Sequence, residues 1–230
     1  MDRLAAKIGA ERAEILCRYM DAILERNQQI NLTAIRDREE FILKHLLDSL
    51  SLMDLPEIRE ARRIVDVGTG AGFPGIPLAV AYPEKQILLI DSLSKKLRVV
   101  SEIAGSLGIT NAQTLHIRAE DAGRDPVIRD RYDICVSRAV ASMDVLAEWC
   151  LPLVRKEGCF IAMKGGKTED ELEAGKAAIR ALNGKIDRVV SVALDADSAE
   201  EHTLIVIRKT AGTPRKYPRK AGVARKEPIR

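Results

Sequence analysis

The stretch Ile64-Val65-Asp66-Val67-Gly68-Thr69-Gly70-Ala71-Gly72-Phe73-Pro74-Gly75 decides the fold. Its first four residues read as a short strand, and the chain then enters a run in which every second or third residue is glycine. Glycine adopts positive φ without strain and lets a ligand lie against bare backbone. A helix that follows such a loop points its unpaired N–H groups at the same ligand. A dinucleotide site requires G-x-G-x-x-G after the strand, but Phe73 stands where the third glycine belongs. The loop is therefore expected to hold a nucleotide-like ligand of another kind.

Working outward, the residues after Arg63 alternate short apolar runs with amphipathic stretches, the texture of β-α units around a parallel sheet. Strands are expected at Ile64–Val67, Gln86–Ile90, Thr114–Ile117, Tyr132–Val136 and Cys159–Met163. Two more, at Val189–Leu194 and His202–Arg208, are joined only by the small and acidic residues Asp195 to Glu201, too few for a crossover helix, so they must run antiparallel. Before the sheet, Ile15, Leu16, Tyr19, Met20, Ile23 and Leu24 recur at helical spacing over residues 11–29. A second helix begins near Asp37, where Glu40 three residues on resembles a capping box, and continues until Pro56. The expected organisation is a helical cap over 1–62, an α/β domain over 63–210 and a basic tail over 211–230.

In 230 residues, 46 % hydrophobic content suffices for one such core. The apolar runs, such as Ile76–Ala81, fall far short of the roughly 20 residues needed to span a bilayer. The N-terminus soon carries Glu11 and Glu14 and lacks the pattern of a secretion signal, so a cytoplasmic location is expected. Cys17, Cys135, Cys150 and Cys159 show no C-x-x-C spacing, so reduced, buried thiols and no metal are expected. The net charge of +3 hides an asymmetry: Arg208 to Arg230 carries nine Lys or Arg against one acid, +8, which leaves −5 for the rest. A basic segment on an acidic body suits phosphate. Removing the residues after Thr210 is expected to weaken binding to a polyanion and flatten its salt dependence, with little change in affinity for the ligand of the glycine loop.

Strand two ends at Asp91, placed to accept from ribose hydroxyls, and strand three leads into Ala119-Glu120, placed to meet an adenine. The loop resembles the D-x-G-x-G-x-G turn of methyltransferases. Further segments, Asn31-Leu32-Thr33-Ala34-Ile35, Lys44-His45-Leu46-Leu47-Asp48-Ser49-Leu50, Gly72-Phe73-Pro74-Gly75-Ile76-Pro77, Asp91-Ser92-Leu93-Ser94-Lys95-Lys96, Arg118-Ala119-Glu120, Ser137-Arg138-Ala139, Lys164-Gly165 and Lys216-Tyr217-Pro218-Arg219-Lys220, carry the similarity across most of the chain. Together they resemble the bacterial small-subunit rRNA guanine-N7 methyltransferases, the RsmG or glucose-inhibited division protein B family.

That resemblance implies a class I, Rossmann-like α/β fold with a seven-stranded sheet whose last strand is antiparallel, preceded by a helical extension. It also implies S-adenosylmethionine as cofactor and methyl transfer to a guanosine N7 of 16S rRNA. Asp66, Gly68, Gly70, Phe73, Asp91, Ala119, Glu120 and Arg138 are the expected cofactor residues. Lys164, Lys167, Arg215, Lys216, Arg219 and Lys220 are the expected RNA contacts. The partner implied is 16S rRNA within the small subunit, with no membrane, and the enzyme is expected to be a monomer.

Two absences sharpen the chemistry. Val136-Ser137-Arg138-Ala139 stands where amino-group methyltransferases carry Asn-Pro-Pro-Tyr, and no Pro-Cys or Thr-Cys nucleophile for carbon-5 methylation is present. Guanine N7 offers an in-plane lone pair and no proton, so alignment rather than a general base is expected to carry catalysis, with Arg138 positioning. Its donor fork suits either guanine O6 or a carboxylate of the cofactor, and the resemblance favours the latter. His45, His116 and His202 are expected to be structural.

Overall fold

Apolar residues spaced by three and four give the N-terminal helices one buried face, and that face lies on a sheet. The computed structural model of the chain describes residues 2–138, 140–166, 168–194 and 201–230. Helices α1 (Asp2–Ile8) and α2 (Ala10–Arg26) part at Gly9. Leu16, Tyr19, Met20 and Ile23 of α2 are buried, as their spacing requires. The helix stops before residue 29 because Asn27 folds its side chain onto the next loop, accepting from the N–H groups of Leu32 at 2.8 Å and Thr33 at 3.1 Å.

The second expected helix is present but not uniform. Asp37 caps it by accepting from the Glu40 N–H at 2.8 Å. After α3 (Arg38–Phe41) the backbone widens to π-helix over Ile42–Leu47, returns in α4 (Asp48–Leu50), tightens to a 3-10 turn over Ser51–Asp54 and restarts as α5 (Pro56–Glu60). π-helical turns are rare and concentrate where side chains must be aimed unusually. This one carries His45.

All seven expected strands form: β1 (Arg63–Val67), β2 (Gln86–Asp91), β3 (Ala112–His116), β4 (Tyr132–Arg138), β5 (Val154–Gly165), β6 (Gly184–Ala193) and β7 (Glu201–Lys209). Helices α6 (Gly75–Ala81), α7 (Ser94–Ser106), α8 (Ala119–Ala122), α9 (Met143–Cys150) and α10 (Glu169–Ala181) fill the intervals. The sheet order is β3-β2-β1-β4-β5-β7-β6, with β1 to β5 parallel and β7 antiparallel to both neighbours. The expected antiparallel pair is thus present, and β7 enters between β5 and β6. Residues 195–200 of the loop expected to join them lie outside the described residues. Strand β5 starts at Val154, well before its apolar run, because its polar opening is tied down by Arg155 donating to Asp133 at 2.6 Å.

Alternation along β1 divides the core. Ile64 joins one apolar cluster with residues of α2, α6 and α7, whereas Val65 and Val67 join another with residues of α9 and α10. Asp66, one residue from Val65 and Val67, therefore faces the N-terminal helices. The four cysteines are free and buried.

The stretch 211–230, expected as a basic tail, packs onto the domain. Thr213, Tyr217 and Ala224 are buried, a short helix α11 (Val223–Lys226) forms, and Arg129 donates to the carbonyls of Gly123, Thr213 and Tyr217, each at 2.7 Å. Two of the nine cations face inward. Lys209, fully buried, donates to Asp130, Thr213 and two carbonyls, and Arg219 clamps Glu148, which is 1 % exposed, at 2.6 and 2.9 Å. Arg219→Ala is expected to lower stability by about 3 kcal/mol or more, read as a fall in melting temperature, because it strands the Glu148 carboxylate. A fall of under a degree would show that Glu148 finds another donor.

Candidate active site

Between β1 and β4 the sheet order reverses, so the loops leaving their carboxyl ends diverge and open a crevice. The glycine loop lines it. Gly68, Gly70 and Gly72 hold φ of 72°, 58° and 90°, a region costly for any residue with a Cβ. The loop is braced from beneath. The Asp66 carboxylate accepts from the Thr69 hydroxyl at 2.6 Å and the Gly75 N–H at 2.9 Å, while the Tyr19 hydroxyl donates to the Ala71 carbonyl at 2.9 Å. Asp91 secures the mouth, accepting from the N–H groups of Gly70 at 2.9 Å and Leu93 at 2.8 Å.

Two cavities meet across this loop. One, of about 540 Å³, is lined by Asp91, Ala119, Glu120, Trp149, Gly222 and Arg225 among others. The second, of about 380 Å³, is lined by Thr33, His45, Asp48, Phe73, Lys164 and His202 among others. Gly68, Gly70 and Arg138 belong to both. Of the expected cofactor residues, Gly68, Gly70, Asp91, Ala119, Glu120 and Arg138 thus converge on the first cavity. Phe73 lines only the second. Asp66 lines neither: it is fully buried under the loop, so its expected place among the cofactor contacts is corrected to that of a brace.

The first cavity fits an adenosine. Trp149, which lines it, holds a buried indole N–H with no partner among the described residues, and a buried donor seeks an acceptor. Asp91 and the nearly buried Glu120 add acceptor oxygens to its lining. The C-terminal stretch closes this side, since the Gly222 N–H donates to Glu120 at 2.9 Å and the Arg225 guanidinium lies 5.0 Å over the Trp149 ring. The expectation for truncation after Thr210 therefore changes: cofactor affinity and melting temperature should both fall, because the lost segment walls the cavity and neutralises Glu148. Calorimetry with S-adenosylhomocysteine on the truncated chain checks this, and wild-type affinity would restore the first expectation.

Arg138 is the hub of the second cavity. It donates to the Lys44 carbonyl and to Asp48, both at 3.1 Å, meets His45 Nδ1 at 3.1 Å and lies 5.3 Å over the Phe73 ring. Asp48 is 3 % exposed, and its other oxygen is 3.0 Å from His202 Nδ1. His45 stacks on Phe73 with ring centroids 4.8 Å apart, and Phe41 packs edge-on against both. His45, Asp48 and His202 were not expected in the site, although His45 and Asp48 share one face of a quoted motif three residues apart. His116 stays apart, exposed, with Nε2 3.1 Å from the Ser92 carbonyl.

Two buried titrations oppose each other here. Burial, then the Arg138 charge, lowers His45 from 6.5 to about 4, and burial raises Asp66 from 3.8 to about 6. Between pH 6.5 and 4 the unfolded chain takes a proton that native His45 refuses, so this group costs stability as pH falls. Between pH 6 and 3.8 native Asp66 keeps a proton that the unfolded chain releases, so this group adds stability as pH falls. Asp66→Asn should therefore steepen the acid loss of melting temperature below pH 6, and His45→Gln should flatten it. Calorimetry across that range checks both, and curves parallel to wild type would refute them.

Among the expected RNA contacts, Arg215, Lys216 and Lys220 are exposed. Arg219 and Lys164 are each held by an ion pair within the fold. Lys164, 9 % exposed, reaches the Ala141 carbonyl and Glu171, both at 2.6 Å, while lining the second cavity. Lys167 lies outside the described residues. Among the described residues no His, Cys, Asp or Glu cluster suits a metal, and no helix is long and apolar enough to cross a membrane.

A family model described as rRNA small subunit methyltransferase G matches residues 12–202. The chain belongs to this family. Its relatives include the ribosomal RNA small subunit methyltransferase G of Acetivibrio thermocellus, 48 % identical over 92 % of this chain and 86 % of that one. The protein of the same name from Clostridium perfringens is 38 % identical over 100 % of this chain and 95 % of that one. Among solved structures, a SAM-dependent O-methyltransferase from Thermotoga maritima superposes with TM-score 0.56 at 14 % identity, covering 84 % of this chain and 72 % of that one. A SAM-dependent methyltransferase from Aquifex aeolicus gives 0.55 at 17 %, covering 76 % and 95 %. These likenesses establish the fold, that of class I methyltransferases with a seven-stranded sheet and an N-terminal helical extension. In this member of the methyltransferase G family, the motifs that carry the resemblance, all but Lys216–Lys220, supply residues to the two cavities at the reversal of strand order.

Proposed function

We propose that the chain transfers a methyl group from S-adenosylmethionine to N7 of a guanosine in 16S rRNA, within the small ribosomal subunit and as a monomer. The observation that carries this reading is the meeting of two cavities at Gly68, Gly70 and Arg138, one suited to adenosine and the other lined by aromatic and hydrogen-bonding groups. When bound, the cofactor supplies an electrophilic methyl on a positively charged sulfur. The chain's own residues align the reactants: Gly68 and Gly70 allow close approach, and Asp91 and Glu120 hold the nucleoside end. Arg138 keeps the wall between the cavities in place.

The protonation pattern favours N7 over an exocyclic amine. A methylated amine must shed a proton, and the second cavity has little to receive it. The Asp48 oxygens face Arg138 and His202, and the His45 ring is close to its neutral form with one nitrogen held by Arg138. N7 needs no base, since its lone pair forms the new N–C bond while the C–S pair returns to sulfur. Holding three atoms in line can lower the barrier by roughly 7 to 11 kcal/mol without proton transfer.

The test is to incubate the purified chain with labelled S-adenosylmethionine and small subunits lacking base methylation, then map the label. One N7-methylguanosine in 16S rRNA is expected. Label on an amine or a pyrimidine, or equal transfer to free nucleotides, would refute the reading.

A further inference from the structure

Thr33 lies in the loop between α2 and α3 and lines the second cavity. Its position is pinned: Asn27 accepts from the Thr33 N–H at 3.1 Å and donates to the Thr33 carbonyl at 2.9 Å. Its hydroxyl is constrained by a chain of donors that begins at Arg138. A guanidinium can only donate, so Arg138 at 3.1 Å from His45 Nδ1 requires a lone pair there. The Lys44 carbonyl, 3.2 Å from Nδ1, has a second lone pair to offer a proton there, but that tautomer would turn the ring N–H against the charged guanidinium donor at 3.1 Å, the stronger of the two demands. The proton of neutral His45 is therefore on Nε2, and it is donated to Thr33 Oγ1 at 2.7 Å. Oγ1 also accepts from the Ile35 N–H at 3.1 Å.

A hydroxyl has two acceptor lone pairs and one donor hydrogen. Both lone pairs of Thr33 are taken, so a ligand in the cavity can meet only its hydrogen. Most hydroxyls rotate to suit a partner; this one is committed to an acceptor. On the N7 edge of a purine, guanine presents a second acceptor, O6, where adenine presents an amino donor.

We propose that the Thr33 hydroxyl reads O6 of the target guanine, making Thr33 a specificity-determining residue, an inference that rests on the function proposed above. An adenine in the same place would set N–H against O–H and leave both unpaired, which is a stronger rejection than a missing contact.

The experiment compares reconstituted small subunits carrying guanosine or 2-aminopurine riboside at the target. The latter keeps N7 and the 2-amino group but lacks the oxygen. Wild type is expected to prefer guanosine by about tenfold in kcat/KM beyond the intrinsic difference between the bases, a difference that cancels when enzymes are compared. Thr33→Val, nearly isosteric, should lose that excess preference and slow about tenfold on guanosine alone, with unchanged affinity for S-adenosylhomocysteine. Thr33→Ser should restore the preference. If Thr33→Val does not fold, Thr33→Ala supplies the same ratio. A valine or alanine enzyme that keeps the wild-type preference would overturn the assignment. Wild type that places no label on guanosine N7 would instead defeat the underlying function.

Discussion

Replacing Arg138 by alanine is expected to abolish detectable methyl transfer and to lower stability by about 3 to 5 kcal/mol, the usual cost of removing one partner from a buried ion pair. The substitution leaves Asp48, 3 % exposed, with His202 Nδ1 at 3.0 Å, and strips a donor from the Lys44 carbonyl and from His45 Nδ1. It also releases the His45 tautomer on which the Thr33 hydroxyl depends. Arg138→Lys separates charge from shape. One ammonium keeps Asp48 compensated but cannot reproduce a planar fork that reaches three acceptors. Thermal melting should therefore be nearly restored by lysine while transfer stays at least tenfold down. A lysine enzyme at wild-type rate would show that only the charge is needed.

Gly72→Ala should be as damaging by another route. Gly72 holds φ of 90°, and a Cβ there would lie 2.5 Å from the Tyr19 hydroxyl and 2.7 Å from Ile76 Cγ1. Positive φ alone costs roughly 1 to 3 kcal/mol for alanine, and forced overpacking adds a similar amount. Relief of the clash must break the Tyr19 hydrogen bond to Ala71, the bond that ties α2 to the glycine loop. The variant is expected to lose several degrees of melting temperature and at least tenfold in affinity for S-adenosylhomocysteine. Tyr19→Phe is the milder companion, since it leaves the Ala71 carbonyl without its donor at about 1 to 3 kcal/mol and introduces no clash. If Gly72→Ala bound the cofactor analogue as wild type does, the loop would be more compliant than its braces imply.

The difference between the two variants shows where local pattern stopped being informative. Glycine spacing after an apolar strand reports a backbone requirement, and that requirement is local, so the loop was legible from Gly68 to Gly75. Strand and helix periods are equally local, which is why seven strands and the direction of the last pair followed from residue order. Strand ends were less so. The polar opening of β5 has no apolar pattern and is held by Arg155 on another strand's Asp133.

Roles that depend on what lies opposite were not legible. Asp66 looks like a ligand in any glycine-loop motif, yet strand alternation turns it under the N-terminal helices. Arg219 and Lys164 look like phosphate contacts in a list of cations, yet each spends its donors on a neighbouring segment. Net charge counts such residues at full value, whereas burial decides which of them a polyanion can reach.

The sequence by itself determined the α/β class, the glycine loop, the family and the acids at the strand ends, because each is written in neighbours along the chain. Only the tertiary structure brought Thr33 from the loop between α2 and α3, His45 and Asp48 from the helices after it, Arg138 from β4 and His202 from β7 to one cavity. Hydrogen-bond direction passes through space from one of these groups to the next, so the committed donor at Thr33 exists only once the sheet and the cap have closed on each other.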